Sequence, residues 1–292
     1  MILVTGAAGK TGRSIIRALA ARGGRVRALA RRERQADALG QIGAHEIVVG
    51  DMLDEAALAR AARGVRAVYH ICPNVHPQEV AIGKSIIAAA RGAGVRLFAY
   101  HSVLHPQTES MPHHWNKLRV EEMLFESSLD YAILQPAPYM QNVLAEREAI
   151  VTHGVYRVPY SVQAPFSLVD LEDAAEATAI VLTEPGHAGA TYELCGPEVL
   201  TPSDIAAVWS AKLRRPVQAQ RIAVEDWALR AKTAGLSEYA VDILTRMFGY
   251  YDRYGLWGNS RALSHLLGRS PTRFEAFVER TIHDLKIDET GI

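Results

Sequence analysis

The run Gly6-Ala7-Ala8-Gly9-Lys10-Thr11-Gly12 constrains this chain more than any other feature of its 292 residues. It directly follows the apolar, β-favouring stretch Ile2 to Thr5. It precedes Ser14 to Ala21, where Ile15, Ile16, Leu19 and Ala20 recur at helical spacing until Gly23-Gly24 ends the pattern. A glycine run in that place predicts a strand, a turn and a helix. Gly6 is expected to permit the tight bend, Gly9 to let the backbone approach a pyrophosphate, and Gly12 to let the helix pack closely on the strand, with Ala7, Lys10 and Thr11 completing the loop. The free N–H groups and the positive end of the helix then meet negative charge. The bland alternative is a turn that only connects the two elements. The spacing is GxxGxxG rather than GxGxxG, and the absence of GxxxxGK[ST] excludes a P-loop nucleotide triphosphatase.

Further β-rich runs follow at Arg25 to Ala30, Glu46 to Val49, Ala67 to Ile71, Val95 to Tyr100 and Tyr131 to Gln135, alternating with helical patterns. Asp54 reads as the N-cap of a helix over 56–62, and Pro77 as the opening of one that ends near Gly92. The pattern predicts an α/β protein with a Rossmann-type, doubly wound parallel sheet. Residues 1–154 form its cofactor-binding domain, and 165–196 are expected to complete the sheet with strands at Phe166 to Val169 and Thr191 to Cys195 around a helix at Leu171 to Leu182. Residues 155–164 and 197–292 are left for a smaller, mainly helical lobe beside the strand ends, where open α/β sheets bind ligands.

Thirty-two basic residues balance thirty-two acidic ones, so no overall field draws in nucleic acid or an anionic membrane. Cys72 and Cys195 lie far apart, outside any CxxC, which excludes a disulfide framework and a zinc knuckle. No basic leader and no bilayer-length apolar stretch is present, and a cytoplasmic location is expected.

After the second strand an NAD site normally supplies an acidic residue for the ribose hydroxyls. This chain reads Arg31-Arg32 there. Guanidinium groups at that strand end suit the 2′-phosphate of NADP(H), with Lys10 within reach of the same place; the alternative is two solvated surface arginines. Asp51 and Met52, after the third strand, are candidates to hold the adenine, against a turn aspartate bonding its own backbone.

Together with the glycine turn, Arg31-Arg32 and Gly50-Asp51-Met52, the chain resembles the NmrA-like group of atypical short-chain dehydrogenase/reductases. Further matching stretches are Tyr100-His101-Ser102-Val103, His113-His114-Trp115-Asn116-Lys117 with Glu121-Glu122, Leu129 to Pro136, Tyr139 to Asn142, Tyr254-Gly255-Leu256 and Leu267 to Pro271. The resemblance spans nearly the whole length. It implies NADP(H) as cofactor and either of two activities: reduction of a small quinone, azo or activated carbonyl acceptor, or NADP(H)-responsive regulation through a protein partner.

Ordinary short-chain dehydrogenases pair a Tyr with a Lys four residues later, the cation lowering the phenol's pKa. Here the six lysines are preceded by Gly6, Val80, His113, Val208, Ala228 and Ile282, so no YxxxK exists. The candidate catalytic residues are therefore Lys117, to bond the nicotinamide ribose and stabilise developing negative charge, His113, as an imidazole titrating near neutral pH, and Ser102, facing the substrate. The alternative for Lys117 is a surface lysine paired with Glu121 one turn on. Pro136 and Tyr139 are expected at the nicotinamide end, and His101, Tyr139 and Trp257 around the substrate. No metal is assigned to His101, His105, His113 and His114, because Glu109 alone accompanies them and no HExxH occurs.

Overall fold

The structure, a computed structural model, describes residues 1–290. In chain order the elements are β1 (Ile2–Val4), α1 (Lys10–Ala21), β2 (Val26–Ala30), α2 (Ala36–Gln41), β3 (Ala44–Val49), α3 (Glu55–Ala62), β4 (Ala67–His70), α4 (Glu79–Gly92), β5 (Leu97–His101), α5 (Pro112–Phe125) and β6 (Tyr131–Pro136). There follow β7 (Val155–Val158), β8 (Phe166–Ser167), α6 (Leu171–Thr183), β9 (Ala190–Leu194), β10 (Val199–Leu200), α7 (Pro202–Leu213), β11 (Gln218–Arg221), α8 (Val224–Thr233), α9 (Glu238–Tyr254), α10 (Arg261–Leu267) and α11 (Phe274–Thr290).

The chain divides into two compact units, 1–136 with 171–193, and 137–170 with 194–292. The first holds a seven-stranded sheet in the order β3-β2-β1-β4-β5-β6-β9, with parallel pairing across β3 to β6. Parallel strands covered on both faces must be apolar throughout, and β1, β4 and most of β5 are buried without alternation. α1 lays Ile15, Ile16 and Leu19 against this unit's core, each burial contributing about 1.5–3 kcal/mol. Asp54 caps α3 as expected, its Oδ1 accepting from the N–H groups of Ala56 and Ala57 at 2.9 and 3.2 Å. α4 starts at Glu79 with Gln78 as N-cap rather than at Pro77.

In the second unit β11 runs parallel to β7 and β10 antiparallel to β8. Phe166–Ser167 thus pairs with Val199–Leu200 and takes no place in the main sheet; of the two strands expected to extend that sheet, only β9 does so. A run as short as Phe166–Ser167 offers too few backbone bonds to announce its partner in sequence. Helices α7 to α11 supply the rest of this unit, around Trp209, Phe274 and Phe277. Among the described residues no helix is long and apolar enough to cross a membrane.

Candidate active site

From β1 the sheet grows one way through β2 and β3, and then the other way from β4. The ends of β1 and β4 therefore flank a topological switch point, and the glycine turn emerges there. Gly6 has φ +59°, and a Cβ on it would stand 2.8 Å from the Ile71 carbonyl oxygen. A Cβ on Gly12 would lie 2.4 Å from Gly6 O and 2.7 Å from Ala7 Cα, so only glycine allows α1 to start this close to the turn. Gly9 is the N-cap of α1 and provides no side-chain cap, and no acidic residue occupies the first turn. Lys10 is exposed at this end and Thr11 half-buried. Thr5 ties the switch point together: its Oγ1 accepts from the Ile71 N–H at 2.9 Å and lies 2.9 Å from His70 Nδ1.

Arg31 and Arg32 follow β2 and are exposed. Arg31 Nε lies 3.1 Å from Asp51 Oδ2, and Asp51 Oδ1 accepts from the Leu53 N–H at 3.0 Å. The carboxylate thus braces its own turn and one of the two guanidinium groups. Met52 packs against the apolar core between β1, α3 and α4.

α5 begins with Pro112 at its first turn. His113, Lys117, Val120, Glu121 and Leu124 share its buried face. Lys117 is only 5% exposed. It is no surface lysine and does not pair with Glu121. Its Nζ donates to Glu79 Oε1 at 2.7 Å and to the His101 carbonyl at 3.2 Å. The Tyr100 hydroxyl donates to the same Glu79 Oε1 at 3.0 Å. Glu79 is 1% exposed; its Oε2 has no hydrogen-bond partner among the described residues and lies 3.9 Å from His113 Nδ1. Glu121 turns elsewhere, accepting from Gln135 Nε2 at 2.9 and 3.1 Å, and burial raises its pKa.

The histidines are not poised for proton transfer at neutral pH. Burial, helped by the Lys117 charge, lowers His101 to about 3 and His113 well below its ordinary value; burial chiefly lowers His114 to about 4. Titration of His113 near neutral pH is therefore not what this environment produces. His101 Nδ1 lies 2.6 Å from the Tyr69 hydroxyl, which fixes the ring inside the sheet. Ser102 is fully buried, its hydroxyl beside the Glu121 carboxylate but outside good hydrogen-bond alignment. Burial and the adjacent Glu79 carboxylate raise the Tyr100 phenol far above its ordinary range. Pro136 ends β6, its carbonyl accepting from the Leu104 N–H at 2.9 Å. Among the described residues no three His, Cys, Asp or Glu side chains converge as metal ligands.

In the second unit Tyr139 is half-buried and bridges in parallel to Val169, while Trp257 is 56% exposed just past α9. Sequence reasoning brought Lys117, His113, His101 and Ser102 to one neighbourhood but missed Glu79, the residue around which that neighbourhood is organised. At the start of α4 it passes for an ordinary first-turn acid. The apolar stripe Ile82, Gly83 and Ile86, continued back one turn, lands on Glu79 and is the signal that could have found it.

The model of the NmrA-like family matches residues 1–282. Quinone oxidoreductase 2 of Escherichia coli is 31% identical over 274 residues, covering 93% of this chain and 95% of that protein. The NAD(P)H azoreductase of Xenophilus azovorans is 28% identical over 280 residues, 96% of this chain and 97% of its own. Among solved structures, the NADPH-dependent quinone oxidoreductase of Escherichia coli complexed with NADPH superimposes with a TM-score of 0.86 at 30% identity, covering 97% of this chain and 100% of that one.

Proposed function

Because this chain belongs to the NmrA-like family, we propose that it is an NADPH-dependent reductase that passes hydride to a small quinone, azo compound or activated carbonyl acceptor. The observation that carries the reading is the glycine cradle at the switch point, where added Cβ atoms on Gly6 and Gly12 would collide with backbone and the N-terminus of α1 has no side-chain cap. These residues fit a dinucleotide pyrophosphate: Gly6, Ala7, Gly9, Lys10, Thr11 and Gly12 hold it, Arg31 and Arg32 take the 2′-phosphate, and Met52 lies on the adenine side. Asp51 acts on the cofactor indirectly, by keeping Arg31 at the strand end.

When bound, NADPH supplies a hydride from its nicotinamide. The chain's own residues orient and desolvate. Two of the three N–H groups of Lys117 are engaged by Glu79 and His101; the third has no acceptor among the described residues and is assigned to the nicotinamide ribose. No side chain around Lys117 stands ready to deliver a proton at neutral pH, which suits acceptors whose reduced forms take protons from water, as quinones do.

The test follows NADPH absorbance with the purified protein and a panel of quinones, azo dyes and aldehydes, and repeats it with Lys117→Ala. Turnover of a quinone or azo dye, strongly reduced in Lys117→Ala, is expected. Tight NADPH binding with no turnover of any acceptor refutes the reductase and favours an NADP(H)-responsive regulator.

A further inference from the structure

We propose that Glu79 is the positioning residue of this site, the carboxylate that sets the Lys117 ammonium; the inference rests on the reductase reading above. Three observations carry it. First, Glu79 is 1% exposed, and a carboxylate is kept there only by partners that offset its lost hydration. Second, its two oxygens are used differently. Oε1 collects the Lys117 ammonium at 2.7 Å and the Tyr100 hydroxyl at 3.0 Å, whereas Oε2 faces His113 Nδ1 at 3.9 Å and has no hydrogen-bond partner among the described residues. Third, Glu79 stands on α4 and Lys117 on the buried face of α5, so their 2.7 Å contact ties two helices together at this point.

The chemistry follows from the charges. A buried ammonium needs a counter-charge to offset its lost hydration, and the Glu79 carboxylate at 2.7 Å supplies it. Oε1 and the His101 carbonyl oxygen each accept one of the ammonium's donors, and together they aim the third. The other titratable groups around the pair are His70 at the end of β4 and Cys72 after it, Tyr100 and His101 from β5, and His114 and Glu121 from α5. The histidines are held neutral, the thiol and phenol protonated, and Glu121 is bonded to Gln135. None of them replaces the charge that Glu79 supplies.

The experiment compares Glu79→Gln, Glu79→Asp, Lys117→Met and the double variant Glu79→Gln/Lys117→Met, measuring kcat and KM for NADPH with one water-soluble quinone, and NADPH affinity by fluorescence. Lys117→Met is expected to lose about 100-fold in kcat, the usual scale for removing one preorganised donor. Glu79→Gln is expected to lose about tenfold or more in kcat and to weaken NADPH binding in the same direction as Lys117→Met. The double variant should be no worse than Lys117→Met, because Glu79 acts through Lys117. Glu79→Asp retains the carboxylate, so it keeps more activity than Glu79→Gln; it decides the matter if Glu79→Gln does not fold. Wild-type kcat in the Glu79 variants, or losses that simply add in the double variant, overturns the proposal. If the wild type binds NADPH but reduces nothing, the reductase reading alone fails. Positioning is then read from NADPH affinity, which Glu79→Gln and Lys117→Met should weaken alike and the double variant no further.

Discussion

Mild acid should unfold this protein, and the amount can be worked from its buried histidines. His70, His101 and His114 are buried, and burial holds them neutral down to about 3, about 3 and about 4, against an ordinary value of 6.5. His113 lies in the same environment and is lowered as well. The sign follows from proton counting. Below pH 6.5 the unfolded chain binds protons that the folded chain refuses, so the stability these residues contribute is complete above 6.5 and is lost as pH falls towards the folded values. At about pH 5 each such group favours the unfolded state by about 2 kcal/mol, a figure insensitive to the folded value as long as that stays near 4 or below. His70, His101 and His114 together cost about 6 kcal/mol, and His113 adds to it. A domain of this size has about 5–15 kcal/mol in total.

The assay is urea unfolding followed by circular dichroism at constant ionic strength, at steps from about pH 8 to about pH 5. Unfolding free energy should change little above about pH 7 and fall steeply below about 6. His101→Asn keeps a polar atom near Tyr69 but cannot charge, and should remove about 2 kcal/mol of the acid dependence. A stability that stays level between about pH 7 and about pH 5 would falsify the claim that these imidazoles are held neutral.

Replacing Arg31 and Arg32 by Ser should weaken NADPH about ten- to hundredfold, the value of one or two charge-assisted hydrogen bonds, while NADH binding hardly changes; equal weakening in a fluorescence titration sinks the 2′-phosphate assignment. Gly12→Ala places a methyl 2.4 Å from the Gly6 carbonyl and should cost about 1–3 kcal/mol in thermal melts together with NADPH affinity, and an unchanged melt refutes the close-approach argument. Cys72 and Cys195 are buried, and burial raises the Cys72 thiol far above its ordinary range, so a thiol-reactive dye should label neither until denaturant is added. Asp54→Ala should lower stability by about 1 kcal/mol through loss of the α3 cap, which denaturant midpoints will measure.

What could be read from the sequence was whatever a short range of residues dictates. The glycine turn, the Asp54 cap and strands β1 to β6 each follow from a local pattern, of steric room, of capping chemistry or of apolar runs, and their boundaries move by one or two residues. The placement of Phe166–Ser167 did not follow, because two residues of strand propensity do not say which edge they will join. The ion pair was hidden for a related reason. At helical spacing Lys117 faces Glu121 and Glu79 faces Gly83, so the local rule assigns Lys117 the wrong carboxylate. Only the packing of α4 on α5 makes Glu79 its partner; there a Cβ on Gly83 would come within 2.7 Å of Val120, so the two helices are drawn together at a glycine.

The missing YxxxK takes on a different meaning once Glu79 is in place. A tyrosine and a lysine do meet in this site, for the Lys117 ammonium lies 5.4 Å from the centre of the Tyr100 ring and both side chains donate to Glu79 Oε1. In a YxxxK pair the cation acts on the phenol directly and lowers its pKa. Here the phenol is buried and a carboxylate stands between the two, so burial first and the Glu79 charge second push the phenol's pKa up, and Tyr100 is a hydrogen-bond donor that keeps its proton. The same atoms that disable tyrosine acid–base chemistry hold a neutralised, oriented ammonium in a nearly dry interior. Such a site is poorly equipped for a ketone, whose reduction needs a proton delivered to the new alkoxide, and better suited to an acceptor whose reduced form is stable as an anion or takes protons from water.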